Sequence, residues 1–316
     1  MRWSTYLGED GIARAAVWAE DRLHPVPGPV ALLDLLGDDG TRLRVAADRA
    51  LREPGVDPST IRLAPPVPRP PSIRDFMAFE EHVVTASAAI GLTVDPLWYR
   101  QPVFYFTNPA SLRGAHDPVA VFPGSRAFDY ELEVAAVIGR GGADLSPDEA
   151  IGHIAGYVLF CDWSARDLQG EEMKLNLGPA KGKDSASSCG PWMLSADELP
   201  AAAAMTASVN GRPYSAGRLD ALYWSFAEMI AYASRGTRVV PGDLIGSGTV
   251  GTGCILELSR VHGPEAYPWL VPGDRVRLEV DGLGAIDAAI VEGVPVRPLR
   301  ARRLRTSGPT TPGGPA

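Results

Sequence analysis

Along FDYELEVAAVIG (residues 128–139), apolar and acidic positions alternate and then merge into an unbroken apolar run. Strand periodicity puts Phe128, Tyr130, Leu132 and Val134 on one face and Asp129, Glu131 and Glu133 on the other. Glu131 and Glu133 then stand about 7 Å apart on one face, in a segment that otherwise reads as buried. Carboxylates so placed repel unless a cation or water relieves them. This stretch alone leaves two readings open: ligands of a metal ion, or an edge strand with a solvated acidic face.

The same patterning divides the rest of the chain. Residues 1–64 read as a small α+β segment, with a strand-sized start, a turn at Glu9-Asp10-Gly11 and a helix-like stretch from Leu32 to Arg52. The proline-dense run 65–71 predicts an extended linker and a domain boundary. Ser72-Ile73-Arg74-Asp75 has the spacing of a capping box, which predicts a helix running to Gly91 with Asp75 and His82 on one face. At these two positions a helix cap and a half-buried histidine are the plain alternatives to function.

Further on, Pro102–Phe106 reads as a strand, and Ser146-Pro147-Asp148-Glu149 opens a short capped helix. A buried strand from Gly156 to Cys161 ends at Asp162, which is either a turn cap or a third ligand. Residues 177–192 form a loop carrying Lys181 and Lys183; such a lysine is either solvated or set beside developing negative charge. Asn210-Gly211 and Asp281-Gly282 predict hairpins, and Leu219–Arg235 a helix stopped by Gly236. Glu257 interrupts what reads as an apolar strand. Gly246-Ser-Gly-Thr-Val-Gly251 matches a dinucleotide fingerprint literally, but it is expected to lead into a strand, so it supports no such site.

Composition narrows the classes. With 316 residues, 45% of them hydrophobic, the chain can build a sizeable core, and a net charge of -8 argues against nucleic acid or an anionic membrane as partner. Three cysteines without CxxC spacing fit reduced thiols better than disulfides or structural zinc. The start has no apolar run of signal-peptide length, and the expected location is the cytoplasm. The tail at 301–316, basic and then rich in proline, glycine and threonine, is expected to be disordered.

Taken together, Asp75-Phe76 with His82, Glu131-Leu132-Glu133, Asp162-Trp-Ser-Ala-Arg166-Asp167 with Gln169, Gly182-Lys183, Gly190-Pro-Trp192, Pro241-Gly-Asp-Leu-Ile-Gly-Ser-Gly-Thr249 and Leu256-Glu257-Leu258 resemble the fumarylacetoacetate hydrolase family. The resemblance implies an α+β, mostly β fold: a fumarylacetoacetase-like domain with a rolled mixed sheet over 72–300, preceded by the α+β segment and expected to form a homodimer. It implies Asp75, Glu131, Glu133 and Asp162 as ligands of a divalent cation, Mg²⁺ first, with Mn²⁺ or Ca²⁺ as alternatives. It further implies His82, Glu257 and Lys183 as catalytic groups and Tyr105, Arg166, Gln169 and Thr249 as substrate-binding groups. The implied reaction is hydrolysis of a C–C bond in a small β-diketo acid or acylpyruvate. A decarboxylase, hydratase or enol–keto isomerase is the alternative within the family, and a non-catalytic binding protein is the alternative outside it. Gly91 and Met173 replace an arginine and a tyrosine of the fumarylacetoacetase branch, which points to a more apolar substrate.

Overall fold

The apolar half of the acidic strand becomes the middle of a large sheet, where it is covered on both faces. The computed structural model describes residues 1–89 and 91–299, so the expected tail lies outside the described residues. The amino-terminal segment supplies strands β1 (Arg2–Leu7), β2 (Ala13–Ala19) and β3 (Arg22–Pro25), helix α1 (Thr41–Ala50) and β4 (Arg62–Ala64). Next come β5 (Ile73–Phe76), α2 (Glu80–Ala89), β6 (Phe104–Thr107), β7 (Leu112–Gly114) and β8 (Val119–Ala120). The central stretch gives β9 (Phe128–Asp129), β10 (Leu132–Ile138), α3 (Pro147–Ala150), β11 (Ile154–Asp162), β12 (Ser164–Ala165) and α4 (Arg166–Met173). The remainder gives β13 (Ser187–Cys189), β14 (Met193–Ser195), β15 (Ala204–Val209), β16 (Arg212–Arg218), α5 (Phe226–Ser234), β17 (Leu244–Gly246), α6 (Ile255–His262), β18 (Arg275–Val280) and β19 (Gly284–Val291).

Mixed β-structure dominates. The larger sheet runs β3-β2-β1-β14-β11-β10-β17-β5-β6, and a smaller one runs β16-β15-β18-β19-β8. Alternation along β10 sorts its residues as the pattern predicts. Leu132, Val134, Ala136 and Ile138 join a core shared with the smaller sheet and α5, whereas Ala135 and Val137 pack with Trp3, Val17, Leu32, Ala46 and Ala47 of the amino-terminal segment. That segment continues the same sheet, because β1 pairs antiparallel with β14. Pro65, Pro66 and Val67 are buried, and the Thr5 hydroxyl donates to the Pro66 carbonyl at 2.6 Å.

The hairpins at Asn210-Gly211 and Asp281-Gly282 form, as does the Ser146 capping box. Other expectations change. The Phe128 stretch is broken at Tyr130-Glu131, where Glu131 makes a single bridge to Cys254. Leu32–Arg52 splits into a one-turn helix at Leu32–Leu35 and α1. Ser72–Asp75 does not start a helix: Ile73–Phe76 pairs with β17 on one side and β6 on the other, and the helix begins at Glu80. Asp75 and His82 therefore share no helix face. Glu257 lies in helix α6 and not in a strand, so the glycine run of 246–251 does precede a helix.

Candidate metal centre

Sheet register assembles the site. Antiparallel pairing sets Leu132 opposite Cys161, so Glu131 comes beside Asp162 at the end of β11; Ala135 faces Gly246, Gly246 faces Asp75 and Asp75 faces Tyr105. Carboxylates from three strand regions thus converge over one patch of sheet. Asp75, Glu131 and Glu133 each offer an oxygen within 4.8 Å of the others. Gly246 makes this approach possible, since a Cβ there would sit 2.4 Å from Asp75 Oδ1 and 3.3 Å from Glu133 Oε2.

Buried cations partly neutralise the acids. Lys183 is 3% exposed, and its Nζ lies 2.7 Å from both Glu131 Oε2 and Asp162 Oδ2. Arg166 Nη2 lies 2.7 Å from Asp129 Oδ2 and 2.8 Å from Glu131 Oε1, at angles that serve charge pairing more than a directed hydrogen bond. The single Tyr105 hydroxyl hydrogen lies within reach of two carboxylate oxygens, Asp75 Oδ2 at 3.1 Å and Asp162 Oδ2, and donates to one of them at a time. Gly248 N–H donates to Glu133 Oε2 at 3.1 Å.

The charges do not balance. Asp75, Asp129, Glu131, Glu133 and Asp162 are all buried, against Lys183 and Arg166. Burial raises Asp75 from 3.8 to about 6 with Glu131 adding to the rise, and burial raises Asp162 to about 7 despite Lys183. Burial and the neighbouring Asp75 and Glu131 push Glu133 well above the usual carboxylate range. Burial also opposes ionisation of Glu131, but Lys183 and Arg166 outweigh it and hold this carboxyl below its ordinary value. Asp75 Oδ1, Glu133 Oε1 and Asp162 Oδ1 are buried and accept no hydrogen bond from the surrounding donors, although the Asp75 and Glu133 carboxyls are close enough to share a proton when one of them is protonated. Carboxylate oxygens without a donor in an acid-rich, all-oxygen setting fit a hard divalent ion.

A second group adjoins the first. His82 Nδ1 lies 2.5 Å from Glu257 Oε1, both side chains being buried. Glu257 Oε2 accepts from Thr252 N–H at 3.1 Å, and the Cys254 thiol donates to Oε1 at 3.6 Å. The Glu131–Cys254 bridge ties this pair to the carboxylates.

Among the remaining expected site residues, Gln169 Oε1 accepts from Arg166 Nη1 at 3.2 Å. Thr249 Oγ1 accepts from Leu132 N–H at 3.2 Å, so it fixes the glycine-rich loop onto β10. Asp129 received no role from the sequence, although it shares the acidic parity of Glu131. It accepts from the backbone N–H groups of Ile255 at 2.7 Å and Leu256 at 3.1 Å, capping α6 while it pairs with Arg166. Cavities of about 420 and 950 Å³ lie elsewhere, lined by Trp3, Arg140 and His153 and by Trp18 and Trp192 respectively, so the chemistry and not the open volume locates the site.

The fold and site match known proteins. Residues 72–291 match the family described as fumarylacetoacetate (FAA) hydrolase C-terminal, and the chain belongs to that family, which includes hydrolases and isomerases. A protein named "Putative hydrolase" from Burkholderia ambifaria is 30% identical over 259 residues, 79% of this chain and 84% of its own. The fumarylacetoacetate hydrolase of Exiguobacterium antarcticum superposes with a TM-score of 0.74 at 25% identity, covering 93% of this chain and 100% of that one. The maleylpyruvate hydrolase of Sphingobium sp. SYK-6, solved with manganese(II) and pyruvate, shares the fold with a TM-score of 0.71 at 24% identity, covering 93% and 100%. Among the described residues no helix is long and apolar enough to cross a membrane.

Proposed function

We propose that the protein is a metal-dependent hydrolase that cleaves a carbon–carbon bond in a β-diketo acid or acylpyruvate-like compound. The observation that carries this reading is the His82–Glu257 pair, tied through Cys254 to buried carboxylates that keep three oxygens without a donor. Asp75, Glu131, Glu133 and Asp162 would hold the ion, Mg²⁺ first with Mn²⁺ or Ca²⁺ as alternatives. When bound, such an ion supplies Lewis acidity to substrate oxygens.

The chain's own groups account for the proton and charge movements. Glu257 engages His82 Nδ1, which leaves Nε2 to take a proton from water. The resulting hydroxide adds to the remote carbonyl carbon, the C–C bond breaks, and its electron pair passes to the neighbouring carbonyl as an enolate. Lys183 commits donors to Glu131 and Asp162 and keeps a third N–H for the enolate oxygen. We assign Tyr105, Arg166, Gln169 and Thr249 to the wall of the substrate position, where they also hold the carboxylates and the loop in place.

The same pair favours a second reading, because a histidine held by a carboxylate can also move a proton between carbon atoms without water attack, which is isomerase chemistry. Loss of the ultraviolet absorbance of an acylpyruvate enol, followed with and without Mg²⁺, tests the proposal. Metal-dependent loss with two smaller products is expected; metal-independent loss contradicts it, and a product of unchanged mass favours the isomerase.

A further inference from the structure

The carboxylate centre offers oxygen alone, but a few residues away the donors change character. His82, Cys254 and Glu257 are all buried, and each offers one ligand atom, nitrogen, sulfur or oxygen, within 4.8 Å of the others. The proposed reaction gives the thiol no task. Among the described residues its one hydrogen bond is the weak one to Glu257 Oε1, the oxygen that also engages His82.

We propose that His82, Cys254 and Glu257 form a second, soft-metal site for a zinc-class ion, and that its occupation silences the enzyme. Imidazole, thiolate and carboxylate are the ligand types that zinc takes at about 2.0–2.3 Å, and three protein ligands leave its fourth position to water. A tetrahedral ion with bonds of this length sets its ligand atoms about 3.3–3.8 Å apart, so the 3.6 Å between Cys254 Sγ and Glu257 Oε1 suits it, whereas the 2.5 Å between His82 Nδ1 and Glu257 Oε1 has to open. A thiolate and an imidazole also discriminate against Mg²⁺, which prefers oxygen and octahedral geometry, so the two centres select different ions. Binding is a substitution: the Cys254 thiol proton is released to solvent, and the ion displaces the contact between His82 and Glu257. The charge of the ion is matched by the Cys254 thiolate and the Glu257 carboxylate. The binding stands on geometry alone, whereas the silencing rests on the reading of His82 as the base.

Cobalt(II), a spectroscopic substitute for zinc, reads the site directly. Protein already saturated with Mg²⁺ is expected to take up one further equivalent of cobalt, with a thiolate-to-cobalt charge-transfer band in the near ultraviolet. Cys254→Ser should abolish that band and Cys189→Ser should keep it, since Cys189 is buried in the cluster formed with the amino-terminal segment. A rise in Tm on adding Mg²⁺ verifies that Cys254→Ser is folded, and Cys254→Ala provides a second variant. In turnover, zinc should inhibit at saturating Mg²⁺, and Cys254→Ser should weaken that inhibition by at least about tenfold, the scale on which even outer contacts alter metal affinity.

The site is refuted if no band forms, or if the band persists without Cys254. Zinc inhibition that is relieved by more Mg²⁺ refutes the silencing, because the ion then acts at the carboxylate centre. Cobalt uptake is read without substrate, so an error in the proposed reaction leaves the binding result intact, whereas a missing band overturns the site even where turnover depends on Mg²⁺.

Discussion

His82 and Glu257 come together from positions 175 residues apart, at a distance that commits ring nitrogen Nδ1 to the carboxylate. Replacing His82 with alanine removes the proposed base and should lower kcat by about 10²–10⁴-fold, while Mg²⁺ binding persists because no proposed ligand changes. Steady-state rates beside a metal titration check both halves. The carboxylates make a separate prediction for metal-free protein. Asp75 and Asp162 have folded values raised from 3.8 to about 6 and about 7, so their contribution to stability is complete below 3.8 and is lost as pH rises through 6 and 7. Glu131, held low, contributes in the opposite sense, and its share is lost only as pH falls through its depressed folded value. Chelator-treated protein should therefore melt at a lower temperature at about pH 8 than at about pH 5, and Mg²⁺ should remove much of the difference; a Tm that rises over this range in metal-free protein contradicts the assignment. At this scale the sequence was informative, because Glu131 and Glu133 in an apolar strand demand compensation wherever the chain goes. What it hid was the compensation itself: Arg166, Lys183 and Tyr105 reach the acids through pairings that no local spacing encodes.

Elements were less legible than residues. Ser72-Ile73-Arg74-Asp75 has a capping-box pattern, yet β5 is fixed by partners on both sides, and sheet pairing outweighs one local spacing. The α6 sequence ILELSRVH is a short apolar run whose period suits strand or helix. Its first turn is capped from a distance of 126 residues by Asp129, so no capping residue precedes it in the chain. The glycine run before it had the form of a nucleotide loop, but its backbone serves the acids: Gly248 donates to Glu133, and Gly246 leaves room for Asp75. Gly246→Ala should therefore press on Asp75 Oδ1 and weaken Mg²⁺ affinity by at least about tenfold, measured by calorimetric titration. Unchanged affinity would show that Asp75 does not need this position.

In the whole molecule the expectation of a mostly β fold with a rolled sheet came from the family resemblance, while turn chemistry marked individual hairpins such as those at Asn210-Gly211 and Asp281-Gly282. The relation of residues 1–64 to the rest was not legible, since the proline-dense run suggests separation while the β1–β14 pairing shows a continuous sheet. Trp3 carries this continuity: it is 1% exposed and packs in the cluster that covers Ala135 and Val137 behind the acidic end of β10. Trp3→Ala should destabilise the protein by about 3–5 kcal/mol, read as a lower urea midpoint, while the protein that stays folded keeps its Mg²⁺ affinity. A midpoint within error of the wild type would mean that the segment is only loosely attached.

The central claim is that the carboxylate centre and the His82–Glu257 pair together direct water onto a carbonyl carbon. Turnover of an acylpyruvate with Mg²⁺ in oxygen-labelled water, with the products weighed by mass spectrometry, tests it most directly. The account predicts one labelled oxygen in the carboxylate released by C–C cleavage, with label incorporation falling alongside the rate in His82→Ala. An unlabelled product of the same mass as the substrate, or loss of carbon dioxide without label in the remaining product, would contradict it.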